Sequence, residues 1–191
     1  MRALFVALLL LLCGAVRAEE PEGAKAQIDA LHEALLGAMQ CECSEAERAE
    51  ALQPVVLALF DVAVIARISS GRSWPGFEAE QRQDLIQLLE QLLVATYADR
   101  FDSYSGQRFE HVGMTESRTG AVVKTAIVRA SGERVPIDYY FRGDKVFNVV
   151  ADGVSDLSLR RADYSSILKE QGYSGLVQHI EDNLAELRAD P

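Results

Sequence analysis

The chain has 191 residues and a formal net charge of −10, with 49% hydrophobic residues, which is enough material for one domain with a substantial core. An acidic balance of this size repels nucleic-acid phosphates and anionic lipid headgroups alike. It therefore argues against nucleic-acid binding and against stable docking on a bare anionic membrane.

The chain opens with Arg2, then the apolar run Ala3 to Leu12, then Val16-Arg17-Ala18 ahead of the acidic pair Glu19-Glu20. That is the order of a secretory signal, and the run is shorter than the roughly 20 residues a permanent span needs. Cleavage after Ala18 is expected. Cys13 would suit lipoprotein processing, but Leu12 stands before it where a small residue is wanted. Removing residues 1–18 of 191 leaves 173 and takes away Arg2 and Arg17, so the charge moves from −10 to −12. No second apolar run approaches spanning length, so residues 19–191 are expected to form a single soluble domain without a transmembrane segment.

Within that domain, Ile28, Leu31, Leu35 and Leu36 give helical spacing over 22–36, with Gly37 as a candidate end. Cys41 and Cys43 form a Cys-Glu-Cys arrangement. A redox pair, a thiolate metal site, a local bridge and two surface thiols are all compatible with it. Ser44 and Glu47 fit a capping box, and the helix they start should break or restart at Pro54. Asp61 can cap a short helix over 62–68, and Trp74-Pro75-Gly76 is a turn. The longest helix is expected over 78–103, with Leu85, Leu88, Leu89, Leu92, Leu93, Thr96, Tyr97 and Phe101 on one stripe.

After Ser105-Gly106 the period changes from helical to alternating. Residues 108–112, 121–128, 135–141 and 146–150 read as four strands, separated by Ser117 to Gly120, Ser131 to Glu133 and Gly143-Asp144. Two helices, about 157–170 and 175–187, should close the chain around Gly172 and Ser174. The expectation is an α+β fold: a helical half at about 22–105, a strand meander at about 107–151 and C-terminal helices at about 155–188. The helices would pack on the concave face of a four-stranded antiparallel curved sheet and leave an apolar pocket there.

Catalytic and metal signatures fail on inspection. His32-Glu33 begins like a zincin helix, but Leu36 stands where the second histidine belongs. Gly172 to Leu176 lacks the strand and spacing of a nucleophile elbow, and Ser174 reads as a helix cap. Gly71-Arg72-Ser73 lacks the spacing and lysine of a phosphate loop. Asp61 and Asp138 sit in apolar stretches and are the best candidates for acid–base work, yet one reads as a cap and the other as an outward strand position. No catalytic residue, cofactor or metal is expected.

Taken in order, Phe60-Asp61, Arg67, Gly71-Arg72, Trp74, Gln81-Arg82, Leu92-Leu93, Thr96-Tyr97-Ala98, Pro136-Ile137 with Tyr139, Val146 to Val149, Gly153-Val154-Ser155 and Gly172 with Leu176 resemble the MlaC family. These are periplasmic phospholipid-binding or toluene-tolerance proteins, auxiliary components of an ABC transport system. The resemblance spans Ile28 to Leu187. Ala95 to Phe101, Ser105-Gly106, Arg160-Arg161, Tyr164 and Ile167-Leu168 are most similar to the branch associated with hopanoid biosynthesis. Asp144 and Asn148 depart from the family, which usually carries tryptophan and aspartate there.

The resemblance implies a periplasmic, non-catalytic shuttle carrying phospholipid or hopanoid between an inner-membrane ABC transporter complex and an outer-membrane lipoprotein complex. An assembly factor of an envelope complex, and a hopanoid-pathway enzyme on the same fold, are the competing readings. Periodicity and alternation select the expected lipid-binding residues. They are Leu89, Leu93, Tyr97 and Phe101 on the long helix, facing Ile137, Tyr139 and Phe141, with Trp74 and Val149 near the rim.

Overall fold

The computed structural model describes residues 20–189, so the expected leader 1–18, its cleavage site and Cys13 lie outside the described residues. The first helix, α1 (Glu20–Gln40), buries Ala24, Ile28, Leu31, Leu35 and Ala38 on one stripe. Gly37 does not end it, because Ala38 and Met39 beyond it are buried and hold the last turn in place. Cys41 and Cys43 are joined as a disulfide in the loop that follows.

Helix α2 (Glu45–Leu59) starts on the expected capping box, with the Ser44 side chain accepting from Glu47 N and the Glu47 carboxylate accepting from Ser44 N. Pro54 lies inside it and does not break it. Proline in a helix interior costs about 3 kcal/mol, and Leu52, Val56 and Leu59, all buried one turn apart, offset that cost. Asp61 caps α3 (Val62–Ser70), accepting from Val64 N at 3.0 Å. A 3-10 turn, Gly71–Gly76, leads to α4 (Ala79–Arg100), which a second capping box between Glu78 and Gln81 starts.

The sheet is an antiparallel meander in the order β1-β2-β3-β4-β5. Its strands are β1 (Arg108–Ser117), β2 (Gly120–Val128), β3 (Arg134–Arg142), β4 (Lys145–Ala151) and a two-residue β5 (Val154–Ser155). The fifth strand corrects the expected four. It was invisible to alternation because two residues carry no period. β1 runs five residues further than expected, through an irregularity between His111 and Gly113 that leaves Val112 without a partner.

A second irregularity sits between β3 and β4. Tyr140 pairs with Asn148 and Phe141 with Val146, so Phe147 is the extra residue. Such a bulge re-aims side chains, and its effect is felt in the site below.

The closing helices are one run, α5 (Asp156–Ala189), interrupted only by non-helical Gly172 at φ 71°. The run contacts α3 and β4 and packs along α4. Val123, Tyr139, Phe141 and Val146, which the strand register places on one face of the sheet, join the helical residues in a single core. The helices thus cover one face, as expected of this fold class.

Candidate lipid pocket

A cavity of about 230 Å³ lies between α4, β3, β4 and the first turn of α5. Each wall follows from a local period. On α4, Leu89, Leu93, Thr96, Tyr97 and Arg100 fall on one face at spacings of three, four and one residues. On the sheet, Ile137 and Tyr139 stand two apart on β3, directly opposite Ala151 and Val149 of β4. The bulge at Phe147 lets three consecutive residues, Phe147, Asn148 and Val149, contribute to the lining. Phe60, Val62 and Ile65 close the inner end and are buried. At the other end the lining includes Val154 and Leu159, which are 52% and 60% exposed, so the cavity opens to the surface there.

The aromatic side chains form a chain along one side. Phe60 meets Tyr97 at 5.6 Å, Tyr97 stacks on Phe101 at 5.9 Å, and Phe101 meets Phe109 at 6.2 Å. Tyr139 is fully engaged from behind, its hydroxyl 3.2 Å from His32 Nε2. Burial pushes the phenol pKa of Tyr139 well up, with Tyr97 adding to the effect. The Tyr97 phenol is also held up by burial; Asp156 reinforces that, while Arg100 and Arg160 oppose it. Both rings are neutral at any ordinary pH. Apart from Arg100, Asp156 and Arg160, the lining is therefore uncharged and mostly apolar.

The polar groups collect at the mouth. Thr96 donates back to the Leu92 carbonyl within α4 and is spent. Asn148 Oδ1 accepts from Ser155 Oγ at 3.0 Å and from Leu157 N at 3.2 Å, which ties β4 to the start of α5. Arg160 donates to Asp156 Oδ2 at 3.0 Å and, at 3.4 Å, to the Tyr164 hydroxyl. Burial disfavours its charge, but Tyr164 and Asp156 outweigh that and hold its pKa above the usual value.

Of the residues expected at the site, Leu89, Leu93, Tyr97, Phe101, Ile137, Tyr139 and Val149 line this cavity. Phe141 and Trp74 do not. Phe141 is completely buried beyond the bulge, paired with Val146, and serves the core. Trp74 sits on the 3-10 turn, edge-on to Phe77 at 6.0 Å with the Arg82 guanidinium 5.7 Å over its ring. The rim comes instead from Val154, Asp156, Leu159 and Arg160. Periodicity could not place these, because the β4–β5 turn and the first turn of α5 reach the cavity only through tertiary packing.

The two candidate acids are accounted for. Asp61 is a helix cap. Asp138 lies between Ile137 and Tyr139 on β3, so alternation turns it to the opposite face of the sheet from the cavity. Among the described residues no cluster of histidine, cysteine, aspartate or glutamate could hold a metal.

A family model described as the MlaC protein matches residues 28–182. The chain belongs to the MlaC family. No curated protein matches it in sequence. Among solved structures, the phospholipid-binding protein from Ralstonia solanacearum, solved in complex with a phospholipid, shares its fold. The TM-score is 0.73 at 20% identity, and the match covers 89% of this chain and 99% of that one. The MlaC match begins inside α1 and ends within the second half of α5, so every wall of the cavity falls within it.

Proposed function

We propose that this MlaC-family chain is an exported, non-catalytic lipid carrier. It holds the apolar part of a phospholipid or hopanoid in the cavity between α4 and the sheet. It moves through the periplasm between an inner-membrane ABC transporter complex and an outer-membrane lipoprotein complex. The observation that carries this reading is the hollow itself: a closed apolar end, aromatic walls and an opening ringed by exposed Val154 and Leu159. The phospholipid held by the Ralstonia solanacearum protein of the same fold supports it.

Physical chemistry supplies the need for such a carrier. Moving a lipid chain into water costs ~0.8 kcal/mol per CH₂, so a chain of about 15 carbons costs on the order of 12 kcal/mol. A pocket that returns most of that by apolar burial makes transfer nearly neutral. Among the described residues no helix is long and apolar enough to cross a membrane. The net charge of −10 favours docking on basic faces of partner proteins over adhesion to anionic bilayers.

The cavity of about 230 Å³ lies below the roughly 300–1,000 Å³ of typical ligand sites. A single acyl chain is the guest that suits it unexpanded, and a wider guest requires α4 and α5 to part. Solvent extraction and mass spectrometry of freshly purified protein should find about one lipid per chain. Protein that emerges lipid-free and takes up none from vesicles, while still binding envelope complexes, would instead establish an assembly factor.

A further inference from the structure

The fold owes little to the Cys41–Cys43 bridge. The bridge closes a ring around one intervening residue, Glu42, and so restrains almost none of the unfolded chain. Other bonds fix the corner between α1 and α2. Arg48 Nη1 donates to the Cys43 carbonyl at 2.7 Å and Arg48 Nε to the Ala98 carbonyl at 3.1 Å, which ties the corner to α4. The Ser44–Glu47 capping box holds the next residues. Cys41 and Glu42 are exposed and Cys43 is half-buried, so a thiol can reach the bridge from solvent. No residue from Cys41 to Arg48 lines the lipid cavity.

The two sulfurs stand in opposite helix fields. Cys41 follows Gln40, the last residue of α1, where the final carbonyls concentrate negative partial charge. Cys43 precedes Ser44, the N-cap of α2, where backbone N–H groups concentrate positive partial charge. The Arg48 guanidinium also lies against the Cys43 carbonyl. A thiolate is stabilised at the second place and not at the first. Exchange is fastest when the departing sulfur is the better thiolate, so attack falls on exposed Cys41 and Cys43 leaves. The surroundings select the attacker. Glu42, Glu45, Glu47 and Glu50 flank the bridge, with Arg48 the one cation between Cys41 and Glu50. The Ser44 backbone and side-chain bonds hold the Glu47 carboxyl below its usual range. These carboxylates repel an anionic thiol and draw in a cationic one.

We propose that Cys41–Cys43 is an exchange-active disulfide that accepts two electrons from a dithiol carried on a basic protein segment. The donor's first thiolate attacks Cys41 Sγ. An intermolecular S–S bond forms as the Cys41–Cys43 bond breaks, and the electron pair passes to Cys43 Sγ, which takes a proton from water. The donor's second thiolate then attacks the donor sulfur of the mixed disulfide. That closes the donor's own bridge and releases Cys41, which is protonated in turn. The donor loses two electrons and two protons, and the chain holds both as a pair of thiols.

The test mixes the purified chain with an equal amount of a lysine-rich peptide carrying two cysteines, quenches by alkylation and maps the products by peptide mass spectrometry. Cys41 and Cys43 should be blocked before mixing and alkylated after it, with the peptide oxidised and circular dichroism unchanged. Among monothiols, cationic cysteamine should outpace anionic glutathione severalfold relative to their rates on neutral hydroxyethyl disulfide, and high salt should close that gap. In the single variants, Cys43 of Cys41→Ser should reach half-maximal alkylation at a lower pH than Cys41 of Cys43→Ser. Cysteines already free in protein isolated under thiol trapping overturn the proposal. So does a bridge that survives excess peptide dithiol, or a reduction that unfolds the chain, since either marks a structural disulfide. Equal relative rates for the two monothiols overturn the basic donor, and equal pH midpoints overturn the direction of attack. Each of these failures leaves the carrier reading intact, because the bridge and the cavity share no residue.

Discussion

Replacing His32 by phenylalanine separates the charge of that ring from its packing. The ring stacks on Phe109 with centroids 3.9 Å apart and planes within 7°, and Nε2 faces the hydroxyl of Tyr139, a wall of the cavity. Burial lowers the His32 pKa from 6.5 to about 4, with Asp29 raising it in part and His111 lowering it further. The unfolded chain therefore takes up its proton first as the pH falls. The stability linked to His32 is complete above pH 6.5, is lost as pH falls from 6.5 to 4, and changes no further below that.

At about 1.36 kcal/mol per pH unit, the interval from 6.5 to about 4 corresponds to ~3 kcal/mol as an upper bound. The ring also borders a shallow surface cleft with Asp29, Glu33 and His111, so solvent screening reduces the expected loss to roughly half of that. His32→Phe keeps the stack and strands the Tyr139 hydroxyl, at a cost of about 1–3 kcal/mol that is independent of pH because Tyr139 stays neutral throughout. Urea unfolding between pH 7.5 and 4 should show the variant weaker at the upper end and the gap narrowing by about 1.5 kcal/mol towards the lower. A gap that stays constant over the whole range refutes a buried, neutral His32.

Other substitutions separate the cavity from the core. Leu93→Trp, which adds bulk to a half-buried wall position, should cut co-purified lipid severalfold by mass spectrometry with the melting temperature unchanged or raised. Phe141→Ala should do the reverse, costing about 3–5 kcal/mol by denaturant titration without altering the co-purified lipid. Gly120 has φ 140°, and a Cβ there would lie 2.8 Å from the Phe141 carbonyl oxygen, so Gly120→Ala should cost at least ~1–3 kcal/mol in the same assay. Replacing both Cys41 and Cys43 by serine opens a loop too short to restrain much chain, and by the loop-entropy relation should cost no more than ~2 kcal/mol.

Local signals in the sequence hold where local physics decides. The Ser44–Glu47 box and the Asp61 cap depend on residues within one turn, and the α4 face depends on a period that needs no partner. Alternation placed Ile137 and Tyr139 on one side of β3. Phe141 lies on that same face, as alternation requires, but it is buried in the core where β4 bulges at Phe147, and the cavity does not reach it. Gly37 and Pro54 signalled helix ends, and distant burial of Ala38, Met39, Val56 and Leu59 overrode them. The charged mouth was not legible at all. Arg100 is separated from Asp156 and Arg160 by more than fifty residues of chain, and only the packing of α5 beside α4 brings them to one cavity.

The break at Gly172 solves a problem of rotation along α5. Leu157 and Tyr164 are the buried positions of its first half, and Leu176, Ile180 and Leu184 those of its second. At 3.6 residues per turn, the twelve steps from Tyr164 to Leu176 would leave the two apolar seams roughly 120° apart on an unbroken rod. One glycine at positive φ resets that angle, so a single stretch of chain can wall the cavity with one end and pack on α4 with the other, where Tyr173 and Arg188 bond to Gln81 and Gln91. A residue that resists positive φ at this position would force the helix to choose between the two.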